Sequence, residues 1–148
     1  LRKVLLAIGN DLKGDDSAGM LVGRLVMNMC KSWKVYLGGT TPESYVFKIS
    51  EEKPDVLVIV DATIMGKAPG KYFLIPLERV SREIMLSTHR IPTRLIVELL
   101  RESCGEIYFI GIQPKTLDFG PPSRDVIKAC KEVAKIICED RYKEIKML

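Results

Sequence analysis

Two unbroken apolar runs, Val4 to Ile8 and Val56 to Val60, constrain this chain more than any other feature. A strand with one wet face alternates apolar and polar residues. A run without alternation has to be covered on both faces, as in sheets built of parallel strands. Both runs are far shorter than the roughly 20 apolar residues of a membrane span, so they predict buried strands and no membrane segment. Each gives way to polar groups: Gly9-Asn10-Asp11 after the first, Asp61 after the second.

The intervening segments supply the covering layers. From Ala18, apolar residues recur at Leu21, Val22, Leu25, Val26 and Met29, the spacing of a helix that lies on the sheet and ends near Cys30. Trp33 to Leu37 reads as a second strand, broken by Gly38-Gly39-Thr40-Thr41-Pro42 before a short helix through Tyr45, Val46 and Ile49. The two glycines are expected to let backbone pass close to the loop after the first strand. Nine residues separate Asp61 from the next strand, Lys71 to Ile75. That is too few for a parallel crossover, which needs a dozen or more, so this strand is expected to run antiparallel. Pro76 to Arg90 is mixed, with room for one helical turn. Pro92 suits the first turn of a helix whose core face reads Leu95, Ile96, Leu99 and Leu100. Glu106 to Ile112 is the fifth strand, and Val126, Ile127, Cys130, Val133, Ala134 and Ile137 mark one face of a last helix. The expected fold is α/β, a three-layer α/β/α sandwich around a twisted sheet of about five strands, mostly parallel with one antiparallel.

With 148 residues, 47% apolar and 28% charged, residues 1–148 are expected to form one domain with an ordinary core. The net charge of +4 is modest and its lysines and arginines are interleaved with acids, a pattern of solvated helix faces and not of a nucleic-acid footprint. Cys30, Cys104, Cys130 and Cys138 lie far apart without C-x-x-C spacing, so all four are expected to be free thiols in a reducing cytoplasm. Arg2-Lys3 runs straight into the first strand, and no targeting segment is expected. No extra apolar stripe is evident, so a monomer is the expectation.

The loop Gly9 to Gly19 joins the first strand to the first helix. Two glycines five apart in such a loop, followed by lysine and a hydroxyl residue, would cradle a phosphate. Here Gly14 is followed by Asp15 and Asp16, which repel phosphate and attract a metal ion or a proton. A plainer role is capping of the following helix. Ligands of α/β sheets gather beyond the carboxyl ends of the strands. Asp16 follows the first strand and Asp61 ends the third, so the two carboxylates are expected on one edge. His89, the one histidine, precedes a helix that can fold over that edge. Two carboxylates and an imidazole suit a borderline cation such as nickel or zinc with positions left open. Taken singly, the histidine reads as a surface or capping residue and the aspartate as a turn former. Phosphoacceptor receiver domains also carry an acidic pair after the first strand and an aspartate after the third. They place a lysine just before a proline after the fifth strand, however, and this chain has Gln113-Pro114-Lys115. A non-catalytic metal-binding module is a further alternative.

The motifs Gly9-Asn10, Asp15-Asp16, Gly19, Gly38-Gly39-Thr40, Val60-Asp61-Ala62, Gly66, Ser87-Thr88-His89 and Gly111-Ile112-Gln113-Pro114, in this order, resemble those of the [NiFe]-hydrogenase maturation endopeptidases. Pro42-Glu43 and the Gly-Ile-Gln-Pro segment are most similar to the branch serving hydrogenase 3 of the formate hydrogenlyase type. The resemblance covers nearly the whole chain. It implies a cytoplasmic endopeptidase, aspartic-type or metal-assisted, that removes the C-terminal extension of the hydrogenase large-subunit precursor once nickel is inserted. It also implies that nickel comes with the substrate as a recognition signal, with cadmium or zinc as possible substitutes. Asp16, Asp61 and His89 match the family's metal-contacting positions, the two aspartates being the candidates for catalysis. Many members have glutamate and then glycine where this chain has Asp16 and Ser17. The shorter side chain would bring metal or loop slightly closer. No serine or cysteine sits in a nucleophile motif, which disfavours an acyl-enzyme.

Overall fold

A computed structural model describes residues 1–80 and 92–148. The chain forms β1 (Lys3–Ile8), α1 (Ala18–Met29), β2 (Lys34–Gly39), α2 (Val46–Glu52), β3 (Val56–Ala62), β4 (Tyr72–Ile75), α3 (Thr93–Leu100), β5 (Glu106–Ile112) and α4 (Arg124–Cys138). Short 3-10 turns, Gly14–Ser17 and Pro42–Tyr45, lead into α1 and α2. The sheet order is β2-β1-β3-β5-β4, with β1, β2, β3 and β5 parallel and β4 antiparallel to β5. This is the expected architecture, including the reversed strand after the short connection. The antiparallel edge strand also separates the sheet from the all-parallel receiver pattern with order 2-1-3-4-5.

The unbroken apolar runs are explained by two cores, one on each side of the sheet. Leu5, Ala7, Val58, Val60, Ile110 and Ile112 face α1 and α4, while Val4, Leu6, Ile8, Leu57, Ile59 and Phe109 face α2 and α3. Successive strand residues alternate between the two. The α1 and α4 helices pack on each other through Val22, Val26, Val126, Cys130 and Val133. Among the described residues, no helix is long and apolar enough to cross a membrane.

Several expectations shift. β2 takes in Gly38 and Gly39, which stay alongside β1, with Gly39 turned to φ +60° and a bulge where Ile8 pairs Gly39 and not Gly38. The inward face of α3 is Thr93, Ile96, Val97 and Leu100, leaving Leu95 and Leu99 about half exposed. Five apolar residues within this helix form overlapping stripes, and packing against β5 and α2 selects between them. Likewise Met29 is exposed at the end of α1, and Ala129 joins the α4 core face that Ile127 only borders. The expectation of four free thiols is wrong. Cys30, just past α1, is bonded to Cys138 at the end of α4, with their Cα atoms 5.9 Å apart. The two helices run side by side in the same direction, so their C-terminal ends meet and bring together residues 108 apart in sequence. Cys104 and Cys130 are buried free thiols, and burial pushes them up to about 11 and about 12.

Candidate active site

The carboxyl ends of β1, β3 and β5 meet three loops, and hydrogen bonds between those loops set the geometry of the site. Gly9, at φ +150°, has no room for a side chain: a Cβ would lie 2.1 Å from the carbonyl oxygen of Asp16. Gly19 is under the same constraint, with a Cβ placed 2.2 Å from the Ile8 oxygen and 2.4 Å from the Val60 oxygen. The first turn of α1 therefore rests directly on the ends of β1 and β3. The 3-10 turn Gly14–Ser17 that precedes it packs against β3.

Asp15 and Asp16 are both fully buried, yet they do different things. Asp15 turns away from its own helix and accepts hydrogen bonds from the backbone N–H groups of Lys115 (2.8 Å), Thr116 (3.1 Å) and Ser123 (2.6 Å) and from the Ser123 hydroxyl. Burial alone would raise this carboxyl, but the Ser123, Lys115 and Thr116 donors outweigh it and hold Asp15 below the usual carboxylate range. Its own N–H donates to the Thr116 oxygen at 2.9 Å, and the Gly14 N–H donates to the Gly120 oxygen at 3.0 Å. The loop after β1 is thus clamped to the loop after β5. Neither aspartate caps α1: its N-cap is Ser17, whose hydroxyl instead donates to the Gly14 oxygen at 2.7 Å.

Asp16 stays with the sheet edge. Its Oδ2 accepts the Asn10 N–H at 3.2 Å, which ties the carboxylate to the end of β1. Asp61 is fully buried in β3, one residue past the Val60 carbonyl on which α1 rests. The structure therefore brings the Asp16 loop and Asp61 to one edge, over adjacent strands. His89 falls within residues 81–91 and lies outside the described residues. Among the described residues, no three histidine, cysteine or acidic side chains gather closely enough to hold a metal alone.

Two further residues shape this edge. Gln113, buried just past β5, accepts from the N–H groups of Met65 (2.7 Å) and Lys67 (3.3 Å), pinning the loop that follows Asp61. Gly38 lies against β1, where a Cβ would come 2.9 Å from the Ala7 oxygen, as the paired glycines suggested. Sequence offered no sign of the Gln113 tie beyond the polar residue at the end of an apolar strand.

Comparison with known proteins agrees with this architecture. A family model described as hydrogenase maturation protease (HycI) matches residues 22–140. The hydrogenase 3 maturation protease of Escherichia coli K12 is 38% identical over 130 residues, covering 87% of this chain and 83% of that protein. The solution structure of the endopeptidase HycI from Escherichia coli superposes with a TM-score of 0.92 at 33% identity, covering 100% of this chain and 97% of that one. The [NiFe] hydrogenase maturation protease HycI from Thermococcus kodakarensis KOD1 gives 0.84 at 34% identity, over 95% and 92% of the two chains. Similarity over this length, in sequence and in fold, makes the chain a member of the hydrogenase maturation protease family and thus a hydrogenase maturation endopeptidase.

Proposed function

We propose that this endopeptidase removes the C-terminal extension of a [NiFe]-hydrogenase large-subunit precursor, and that it acts once nickel has been inserted. The observation that carries the reading is the pair of fully buried carboxylates, Asp16 and Asp61, on adjacent strand ends of one edge. Two carboxylates on one strand edge, with an imidazole, make the oxygen-and-nitrogen donor set that a borderline divalent cation takes, and a nickel ion presented by the substrate would be met there. Asp16 and Asp61 would take open positions on the ion, with His89 as the third group, and the scissile bond would be held beside them. Cleavage then needs an activated water and a stabilised oxyanion. Either Asp61 or Asp16 acts as general base, or the substrate's nickel polarises the carbonyl. Nickel here is part of the substrate. Cadmium or zinc, having similar ligand preferences, would occupy the same groups.

The test is mass spectrometry of a large-subunit precursor from the same source, incubated with this protein with and without nickel loading. Release of a C-terminal peptide only from the nickel-loaded precursor is the expected result. Equal cleavage of both forms would overturn the nickel gate, and no cleavage of a precursor that another maturation protease cuts would overturn the activity. Asp16→Asn and Asp61→Asn keep size and remove charge, and each should slow release by about 100-fold or more. Processing at the normal rate by either variant would remove that residue from the mechanism.

A further inference from the structure

The loop from Gly9 to Asp16 has spent nearly all of its hydrogen-bond donors on its own architecture. The Gly9 N–H donates to the Gly39 oxygen at 3.0 Å, the Lys13 N–H to the Asn10 oxygen at 3.2 Å and the Asp16 N–H to the Lys13 oxygen at 2.9 Å. Gly14 and Asp15 donate to the loop after β5, and the Asn10 N–H holds Asp16 Oδ2. Among the described residues, two uncharged donors of this loop meet no acceptor: the Asp11 N–H and the side-chain NH2 of Asn10. Asp11 is exposed, and its carboxylate pairs with Arg24. Asn10 is half-buried and held at both ends. Its Oδ1 accepts the Leu12 N–H at 2.9 Å, closing an Asx turn. A side-chain amide is planar, so the bond at Oδ1 both identifies the nitrogen and fixes the direction of its two N–H groups. The residue that anchors Asp16 thus carries an oriented donor that the protein itself does not use.

We propose that the Asn10 side-chain amide is the oxyanion donor of the peptide cleavage. Water adding to the scissile carbonyl carbon gives a proton to a carboxylate of the site, and the carbonyl π electrons move onto oxygen. That negative charge develops on an edge which already holds Asp16 and Asp61, and like charges disfavour it. A donor aimed in advance at the growing charge lowers this barrier. Asn10 suits the task in two ways. Its amide is neutral, so it does not pair with the carboxylate that must take the proton, as a lysine or arginine would. The Asx turn has also set its direction before substrate arrives, so no reorganisation is needed during the reaction. Collapse of the intermediate restores the carbonyl, breaks the C–N bond and passes the proton from the carboxylic acid to the leaving amine. This assignment rests on the roles proposed above for Asp16 and Asp61, and it leaves the substrate's nickel as the docking signal.

The test is steady-state processing of the nickel-loaded precursor by Asn10→Ser and Asn10→Asp. Both replacements keep an oxygen that accepts the Leu12 N–H, and neither carries the NH2 group. The expected result is a kcat lower by about 100-fold or more in each, with KM within about twofold of the parent's, the mark of an interaction made only in the transition state. Amide-exchange protection of the Leu12 N–H should persist, showing that the turn is intact. Interferometry of precursor binding counts the folded fraction, to which kcat is scaled. The parent's kcat in either variant would overturn the proposal. A fall in kcat accompanied by lost protection at Leu12 or by a raised KM would confine Asn10 to shaping the loop, and would overturn it too. Normal cleavage by parent and variants alike removes the donor and leaves the proposed function standing, whereas a parent that cuts no precursor removes both.

Discussion

Replacing Asp15 by Asn keeps the shape of the side chain and removes the charge that four donors share. The carboxylate accepts from three backbone N–H groups and one hydroxyl, and it has no contact with solvent. The amide of Asn has one acceptor oxygen with two lone pairs, so at least two of those donors lose their partner. Its NH2 group would meanwhile point among N–H groups. An orphaned buried donor costs roughly 1–3 kcal/mol, and hydrogen bonds to a charged group contribute about 1.5–3 kcal/mol each. Two orphans and a misplaced amide give a loss of roughly 3–6 kcal/mol, a large part of the 5–15 kcal/mol typical of a domain. The assay is denaturant unfolding of both proteins, with the slope unchanged and the midpoint lowered, together with a fall in melting temperature on the order of 10 °C. Because Asp15 is held below its ordinary value, its contribution is complete above the unfolded carboxyl's range. It is lost as pH falls through the folded value. The gap between the two proteins should therefore be constant from about pH 7 to 5 and narrow below about pH 4. A loss under about 1 kcal/mol, or a gap that persists undiminished at pH 3, would refute the account of Asp15 as an ionised acceptor.

Gly19→Ala would drive a methyl group into the Ile8 and Val60 oxygens. Helix α1 would have to lift off the strand ends, lowering stability by several kcal/mol, on the order of 3, and abolishing processing; a normal melting curve would contradict the close approach. Reduction of Cys30–Cys138, or Cys138→Ser, opens a cross-link spanning 108 residues and should cost up to about 5 kcal/mol in chain entropy. Since the bond joins helix ends remote from the strand ends that hold Asp16 and Asp61, processing at room temperature should continue while the melting temperature drops. Gln113→Leu removes the acceptor for Met65 and Lys67. Amide exchange at those two positions should accelerate at least tenfold relative to β5, and unchanged protection would show that the loop holds itself.

How far the sequence discloses this molecule depends on whether a feature is local. The run Val56 to Val60 reads as a doubly covered strand because both cores need apolar side chains from it, and β5 appears with its observed bounds for the same reason. Asp61 stands out as the charge that interrupts such a run. The reversal of β4 follows from a short connection, a matter of length alone. Asp15 and Asp16, in contrast, are chemically identical neighbours. Only the three-dimensional position of Lys115, Thr116 and Ser123, a hundred residues later, assigns one to the scaffold and leaves the other at the edge. The Cys30–Cys138 bond was invisible for the same reason, since pairing depends on how α1 and α4 lie together. In α3 the local pattern was too rich: several apolar stripes were available, and the neighbouring elements chose among them. His89 was legible as the one imidazole, and its surroundings belong to residues 81–91.

An open sheet has two outer strands, and each is a template onto which another chain can add. At β4 that template is occupied from within. The Leu74 N–H donates to the Lys146 oxygen at 2.9 Å, and the Leu148 N–H donates to the Leu74 oxygen at 2.8 Å. Residues 146–148 thus act as a short sacrificial strand, and the Arg79 guanidinium fastens it by donating to the Leu148 oxygen at 3.2 Å. At β2 the protection is different: an exposed lysine, Lys34, at one end, and a bulge and two glycines at the other that spoil a regular ladder. Strands as apolar as β1 and β3 thus lie inside the sheet, between one border that residues 146–148 cover and another that a lysine and a bulge interrupt.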